Sequence, residues 1–113
     1  MSVVPQLPEA FYGTVELGGE AAPVGTVVEA YGLNVLNPDR YGFNPLVTHE
    51  KGKYGGRGGF ARKLVVQGRY PEAAKWFYFF VNGKLAQFQA PDGNWLYCYA
   101  FEAGEVRELN LRA

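Results

Sequence analysis

Apolar and polar residues alternate with a period of two along most of this chain, in short runs separated by turn residues. That period places successive side chains on opposite faces of a strand, so it predicts half-buried β-structure rather than helix. The turn signals are Gly18-Gly19, Pro23 with Gly25, Asn37-Pro38-Asp39, the Gly52 to Gly59 cluster, Asn82-Gly83, Asp92-Gly93-Asn94 and Gly104, recurring every 8 to 15 residues. Between them lie "AFYGTVEL", "TVVEAY", "KLVVQG", "KWFYFFV", "KLAQFQA", "WLYCYAF" and "EVRELNL", rich in the Val, Tyr, Phe and Thr that pleated surfaces favour. Seven strands follow, with one more near Leu46 to Thr48, and "PEAAKW", Pro71 to Trp76, is the one plausible helical turn. Asn82-Gly83 between two apolar runs predicts a type I′ turn joining Lys75 to Val81 with Lys84 to Ala90 as a hairpin. Asp92-Gly93-Asn94 then leads to a third strand, Trp95 to Phe101. Such a series fits two packed sheets or a closed barrel. The expected fold is all-β: a two-sheet antiparallel β-sandwich of about seven to eight strands over residues 11–113, behind an extended arm of residues 1–10.

The aromatic strands carry more apolar surface than one core can use. Trp76, Tyr78 and Phe80 alternate with Phe77, Phe79 and Val81, so that strand is apolar on both sides. In the third strand, unbroken alternation puts Trp95, Tyr97, Tyr99 and Phe101 on one face and Leu96, Cys98 and Ala100 on the other. A small domain covers one face of such strands, and something else must cover the second. Three coverings are open: the chain's own Leu33 to Val47 segment, another subunit, or a flat ligand such as a sugar ring stacked on exposed Trp and Tyr. The arm "MSVVPQLPEA" offers Val3, Val4 and Leu7 to a neighbour as an added strand, kept extended by two prolines, or is simply a frayed end.

Composition narrows the partners. The chain has 113 residues, 48% hydrophobic and 19% charged, enough for one core and too ordered in composition for a disordered segment. Its longest apolar run, Trp76 to Val81, is far short of a bilayer span, so no membrane insertion is expected. Eleven basic residues balance eleven acidic ones, so no overall field draws it to nucleic acid and no nucleic-acid partner is expected. The N-terminus lacks the basic and apolar regions of a secretory signal, which fits a protein that stays inside, one released with a lytic particle, or one whose signal is already gone.

Catalytic chemistry finds little to work with. Cys98 is the single cysteine, His49 the single histidine and Ser2 the single serine. Cys98 is in phase with Leu96 and Ala100 and is expected to point into the core as a small hydrophobe. The acids considered, from Glu16 to Glu108, are scattered, and none of them sits in an apolar setting that would raise its pKa. No metal-ligand spacing or dinucleotide fingerprint is present, so neither enzyme activity, nor a metal, nor a cofactor is expected. "HEKGKYGGRGGFARKL", His49 to Leu64, packs five glycines and five basic residues into sixteen positions but lacks phosphate-loop spacing. It holds one unit like the Arg-Gly-Gly segments that bind RNA, whereas those work as repeats. It reads as a strand followed by a glycine-rich edge loop, with Arg57, Arg62 and Lys63 free to meet acidic groups on a neighbour.

The first third, with Gly13, Thr14 and Val15, then Pro23, Gly25, Thr26, Val27 and Val28, resembles the opening of the transthyretin-like, carboxypeptidase-regulatory-like β-sandwich modules. The resemblance continues at Gly52-Lys53-Tyr54-Gly55 and at Val106 with Leu109 and Leu111. It implies a prealbumin- or Ig-like sandwich of the kind found in microbial surface proteins, extracellular or at a particle surface and without catalytic residues. The expected function is a structural module that forms a homo-oligomer or polymer, or docks into a filament, envelope layer or virion. The contacts would come from Val3, Val4 and Leu7, from Trp76, Tyr78 and Phe80, from Trp95, Tyr97, Tyr99 and Phe101, and from Arg57. The alternative is a carbohydrate-binding module built on Trp76, Trp95, Tyr97 and Tyr99.

Overall fold

The computed structural model describes residues 7–33, 35, 43–68 and 75–113. Among these the chain is all-β, with no helix. The strands are β1 (Glu9–Leu17), β2 (Glu20–Ala21), β3 (Val27–Tyr31), β4 (Leu46–Val47), β5 (Lys53–Tyr54), β6 (Leu64–Val66), β7 (Trp76–Val81), β8 (Lys84–Gln89), β9 (Trp95–Leu96), β10 (Cys98–Ala100), β11 (Val106–Glu108) and β12 (Leu111–Arg112). Residues 9 and 10, expected in the arm, already belong to β1. The expected strand Trp95 to Phe101 is broken at Tyr97 into β9 and β10, and the last strand is broken into β11 and β12. Most of the expected helical turn lies outside the described residues, while Trp76 at its end opens β7.

β1 is the long central strand of one ladder. Along one edge it takes β6, β5 and β2 in succession, all antiparallel, with Ala10 opposite Val65, Gly13 opposite Tyr54 and Glu16 opposite Ala21. Along the other edge run β11 and β12, parallel to β1, with Ala10 opposite Val106 and Val15 opposite Leu111. This parallel pairing corrects the expectation of a wholly antiparallel arrangement. Parallel neighbours need a long crossover, and here the whole domain between first and last strands provides it.

β8 joins this ladder to a second. Its last residues pair with β12, Phe88 opposite Leu111, and its first residues pair with β7, Phe79 opposite Ala86. One strand serving two ladders curls the sheet. β7 has β3 on its other edge, Ala30 opposite Phe79, and takes β10 beside its N-terminal half, Cys98 opposite Tyr78. Beyond β3 lies β4, and just before it the Phe43 carbonyl accepts a hydrogen bond from Val65 N–H of β6 at 3.2 Å, bringing the far end of the curl back to the first ladder.

The core fills the inside of the curl. Phe11, Val15 and Leu111 from the first ladder and Phe77, Phe79 and Val81 from the second are fully buried. Phe11 meets Phe79 edge-on with centroids 5.2 Å apart, and Tyr99 meets Phe11 and Phe88 at 5.1 Å. Edge-to-face pairs of this sort add about 0.5–1.5 kcal/mol each beyond the area they bury. The predicted hairpin turn forms with Asn82 at φ 48° and Gly83 at φ 77°, the pair of positive angles a type I′ turn requires. Asn82 also accepts a hydrogen bond through Oδ1 from Val27 N–H at 2.9 Å, tying the turn to the start of β3. Asn44, buried, pairs its amide both ways with the Ala30 backbone at 3.0 Å, which satisfies a polar side chain that would otherwise be costly inside.

Candidate functional site: an aromatic outer face

The strict alternation of β7 decides which rings are spare. Phe77, Phe79 and Val81 point in, so Trp76, Tyr78 and Phe80 point out. Cross-strand register adds to them on the same face. Tyr31 of β3 stands opposite Tyr78, Leu85 of β8 opposite Phe80, and Cys98 and Ala100 of β10 opposite Tyr78 and Trp76. Tyr31 and Phe80 meet edge-on at 6.2 Å. Trp76 is 53% exposed and Tyr31 59%, values that mark a real outer surface rather than a groove. The single charged residue among these facing positions is Glu29, half-buried opposite Phe80.

The remaining expected site residues divide. Tyr99 and Phe101, expected on the outer face with Trp95 and Tyr97, are core residues at 8% and 7% exposure, and this is a correction. The reason is the bend at Tyr97: β9 pairs with β8 and β10 with β7, so the alternation is not continuous across it. Cys98 is likewise corrected, since it lies half-buried on the outer side beside Tyr78 rather than in the core. A hydrogen bond with Cys98 raises the Tyr78 hydroxyl pKa. Trp95 packs under the Arg112 guanidinium at 4.1 Å, and Arg112 in turn donates to Gln87 Oε1 at 3.0 Å. Beside them Leu85, Gln87, Tyr97, Arg112 and Glu16 line a shallow depression of about 280 Å³. Leu7 is exposed next to Gly104, Arg57 is exposed in the glycine-rich loop, and Val3 and Val4 lie outside the described residues.

Sequence reasoning missed Glu9. It is completely buried at the start of β1, and its oxygens accept hydrogen bonds from the Tyr99 hydroxyl at 2.7 Å and Glu102 N–H at 2.9 Å. Arg107, which also pairs with the Glu102 carboxylate, brings Nε to 3.4 Å from Glu9 Oε2 without hydrogen-bond geometry. Burial raises the Glu9 pKa above the ordinary carboxylate value, against the opposing pull of Glu102 N–H, Tyr99 and Arg107. Burial first, and then the bond to Glu9, pushes the Tyr99 hydroxyl up as well. The cluster staples the N-terminal end of β1 to the link between β10 and β11, and its polar atoms face one another rather than an open cleft.

Among the described residues no group of three His, Cys, Asp or Glu is placed to hold a metal ion, and no helix is long and apolar enough to cross a membrane. His49 is exposed between β4 and β5, and Cys98 lies half-buried on β10 beside Tyr78 of β7. No protein-family model matches the chain, and no curated protein or solved structure matches it either.

Proposed function

We propose that this chain is a non-enzymatic structural module, a transthyretin-like two-sheet sandwich, that assembles with copies of itself through the outer face of β7 and its neighbours. The observation that carries the reading is the exposed set Trp76, Tyr78 and Tyr31 flanked by Leu85, contiguous by register. Exposed aromatic patches of this kind are costly to leave in water and enriched in subunit contacts. The same chemistry favours a second copy as the occupant. Among the described facing positions the one charged residue is the half-buried Glu29, with no Lys, Arg or Asp beside it, so two copies meeting off that carboxylate bring apolar rings together with little like-charge repulsion. The sandwich is supported by the packing between the two ladders, where Phe11 of the first meets Phe77 and Phe79 of the second. An extracellular or particle-surface setting follows from the resemblance of Gly13 to Val28 to surface modules.

Light scattering over a concentration series tests the assembly. The wild type is expected to grow in mass with concentration, and Trp76→Lys with Tyr78→Lys to remain monomeric while keeping a cooperative thermal unfolding transition. A wild type that is monomeric throughout overturns the proposal. A second reading, carbohydrate binding, is favoured by the depression where Tyr97 adjoins Gln87 and Arg112, amide and guanidinium beside a ring. It predicts a change in tryptophan fluorescence on adding neutral oligosaccharides that Tyr97→Ala removes.

A further inference from the structure

The glycine-rich loop carries a feature that the aromatic face does not explain. Phe60 is 109% exposed, as open as a side chain can be, at the tip of a closed loop. Gly56 N–H donates to the Arg62 carbonyl at 2.9 Å and closes the base, while Ala61 N–H donates to the Gly58 carbonyl at 3.0 Å and turns the tip. Lys63 Nζ braces the same Gly58 carbonyl at 2.8 Å. The loop is therefore a shaped projection with a bare phenyl ring at its end. Around it, residues 50–63 hold five basic side chains, Lys51, Lys53, Arg57, Arg62 and Lys63, against one acid, Glu50, in a chain whose net charge is zero. Glu50 is taken by Lys53 at 3.7 Å, so the cations nearest the tip stay uncompensated by it.

We infer that this loop docks the protein on an anionic phospholipid surface, Phe60 entering the headgroup boundary and the basic residues meeting lipid phosphates. A lone exposed ring on a loop that also carries Arg57, Arg62 and Lys63 suits a bilayer, which accepts one apolar wedge while long basic side chains keep their charges at the interface. Single-stranded nucleic acid is disfavoured because it stacks successive bases on several rings. The other rings near the loop are already used: Tyr54 is buried, Lys63 sits over Tyr12 at 5.8 Å, and Arg62 over Phe43 at 5.8 Å. The docking is peripheral, needs no spanning segment, and is independent of the aromatic-face assembly.

Co-sedimentation of the full chain with vesicles of phosphatidylglycerol and phosphatidylcholine in equal parts, and with phosphatidylcholine alone, tests this. Binding is expected to the anionic vesicles and to fade as salt rises. Phe60→Ala is expected to weaken it about tenfold or more, the loss of one buried aromatic, and Arg57→Ser about fivefold, the loss of one interfacial cation. Neither variant touches the core, so both fold as the wild type does. Equal binding to the two vesicle types, or Phe60→Ala binding as tightly as wild type, overturns the proposal. So does tight binding to polyuridylate with none to lipid, which would assign the loop to nucleic acid.

Discussion

A carboxyl group with no exposed surface must be held by its neighbours, and Glu9 is held by the Tyr99 hydroxyl, Glu102 N–H and Arg107. Because burial raises its folded pKa, the folded state binds this proton more tightly than the unfolded chain does. Its contribution to stability is fully present below the ordinary carboxylate pKa and is lost as pH rises through the raised folded value. Glu9→Gln removes the titration. Denaturant unfolding over a pH series should therefore show the wild type losing stability relative to Glu9→Gln as pH climbs from acid toward neutral, and a pH-independent difference would contradict the assignment. Glu9→Ala instead leaves the buried Tyr99 hydroxyl without its acceptor, a loss of about 1–3 kcal/mol at any pH. Nothing in the sequence around Glu9 announced this. It sits between Pro8 and Ala10 in a segment that reads as a frayed arm, and its partners lie 90 and more residues away.

At the scale of elements, alternation was legible wherever a strand runs unbroken. β7 alternates buried and more open positions although all six of its residues are apolar, β1 buries Val15 between exposed Thr14 and Glu16, and the Asn82-Gly83 turn forms with the predicted angles. Gly83→Ala should then cost about 1–2 kcal/mol in thermal or chemical unfolding, since a Cβ at positive φ is strained even where nothing crowds it. Gly13 is a different case and a larger one. A Cβ there would lie 2.9 Å from the Leu109 carbonyl carbon, exactly where Tyr54 hydroxyl reaches across to donate to Leu109 at 2.5 Å, so Gly13→Ala must push β1 and the C-terminal strand apart. The fold was less legible from Trp95 to Phe101. Its residue pattern gives no sign of the bend at Tyr97, because that bend exists to let β9 follow β8 and β10 follow β7, and pairing partners are not written in local periodicity. The parallel seating of β11 and β12 was hidden for the same reason.

For the whole molecule, the spare aromatic face was foreseeable from β7 alone, since six consecutive apolar residues cannot all point inward from one strand. Its extent was not, because Tyr31 and Leu85 join it only through the register of β3 and β8. The two proposed contacts are chemically distinct, and salt separates them. Assembly through Trp76 and Tyr78 buries apolar surface, so sodium sulfate should hold or strengthen it. Docking through Arg57 and its neighbours is electrostatic, so rising ionic strength should release the protein from anionic vesicles. Phe60→Ala should accordingly leave the concentration-dependent mass in light scattering unchanged while weakening vesicle binding, and Trp76→Lys should do the reverse. If one substitution abolished both, the loop and the aromatic face would form a single contact surface and the two readings would collapse into one. Separate losses, with opposite salt dependences, are what a neutral chain with one apolar face and one local basic projection requires.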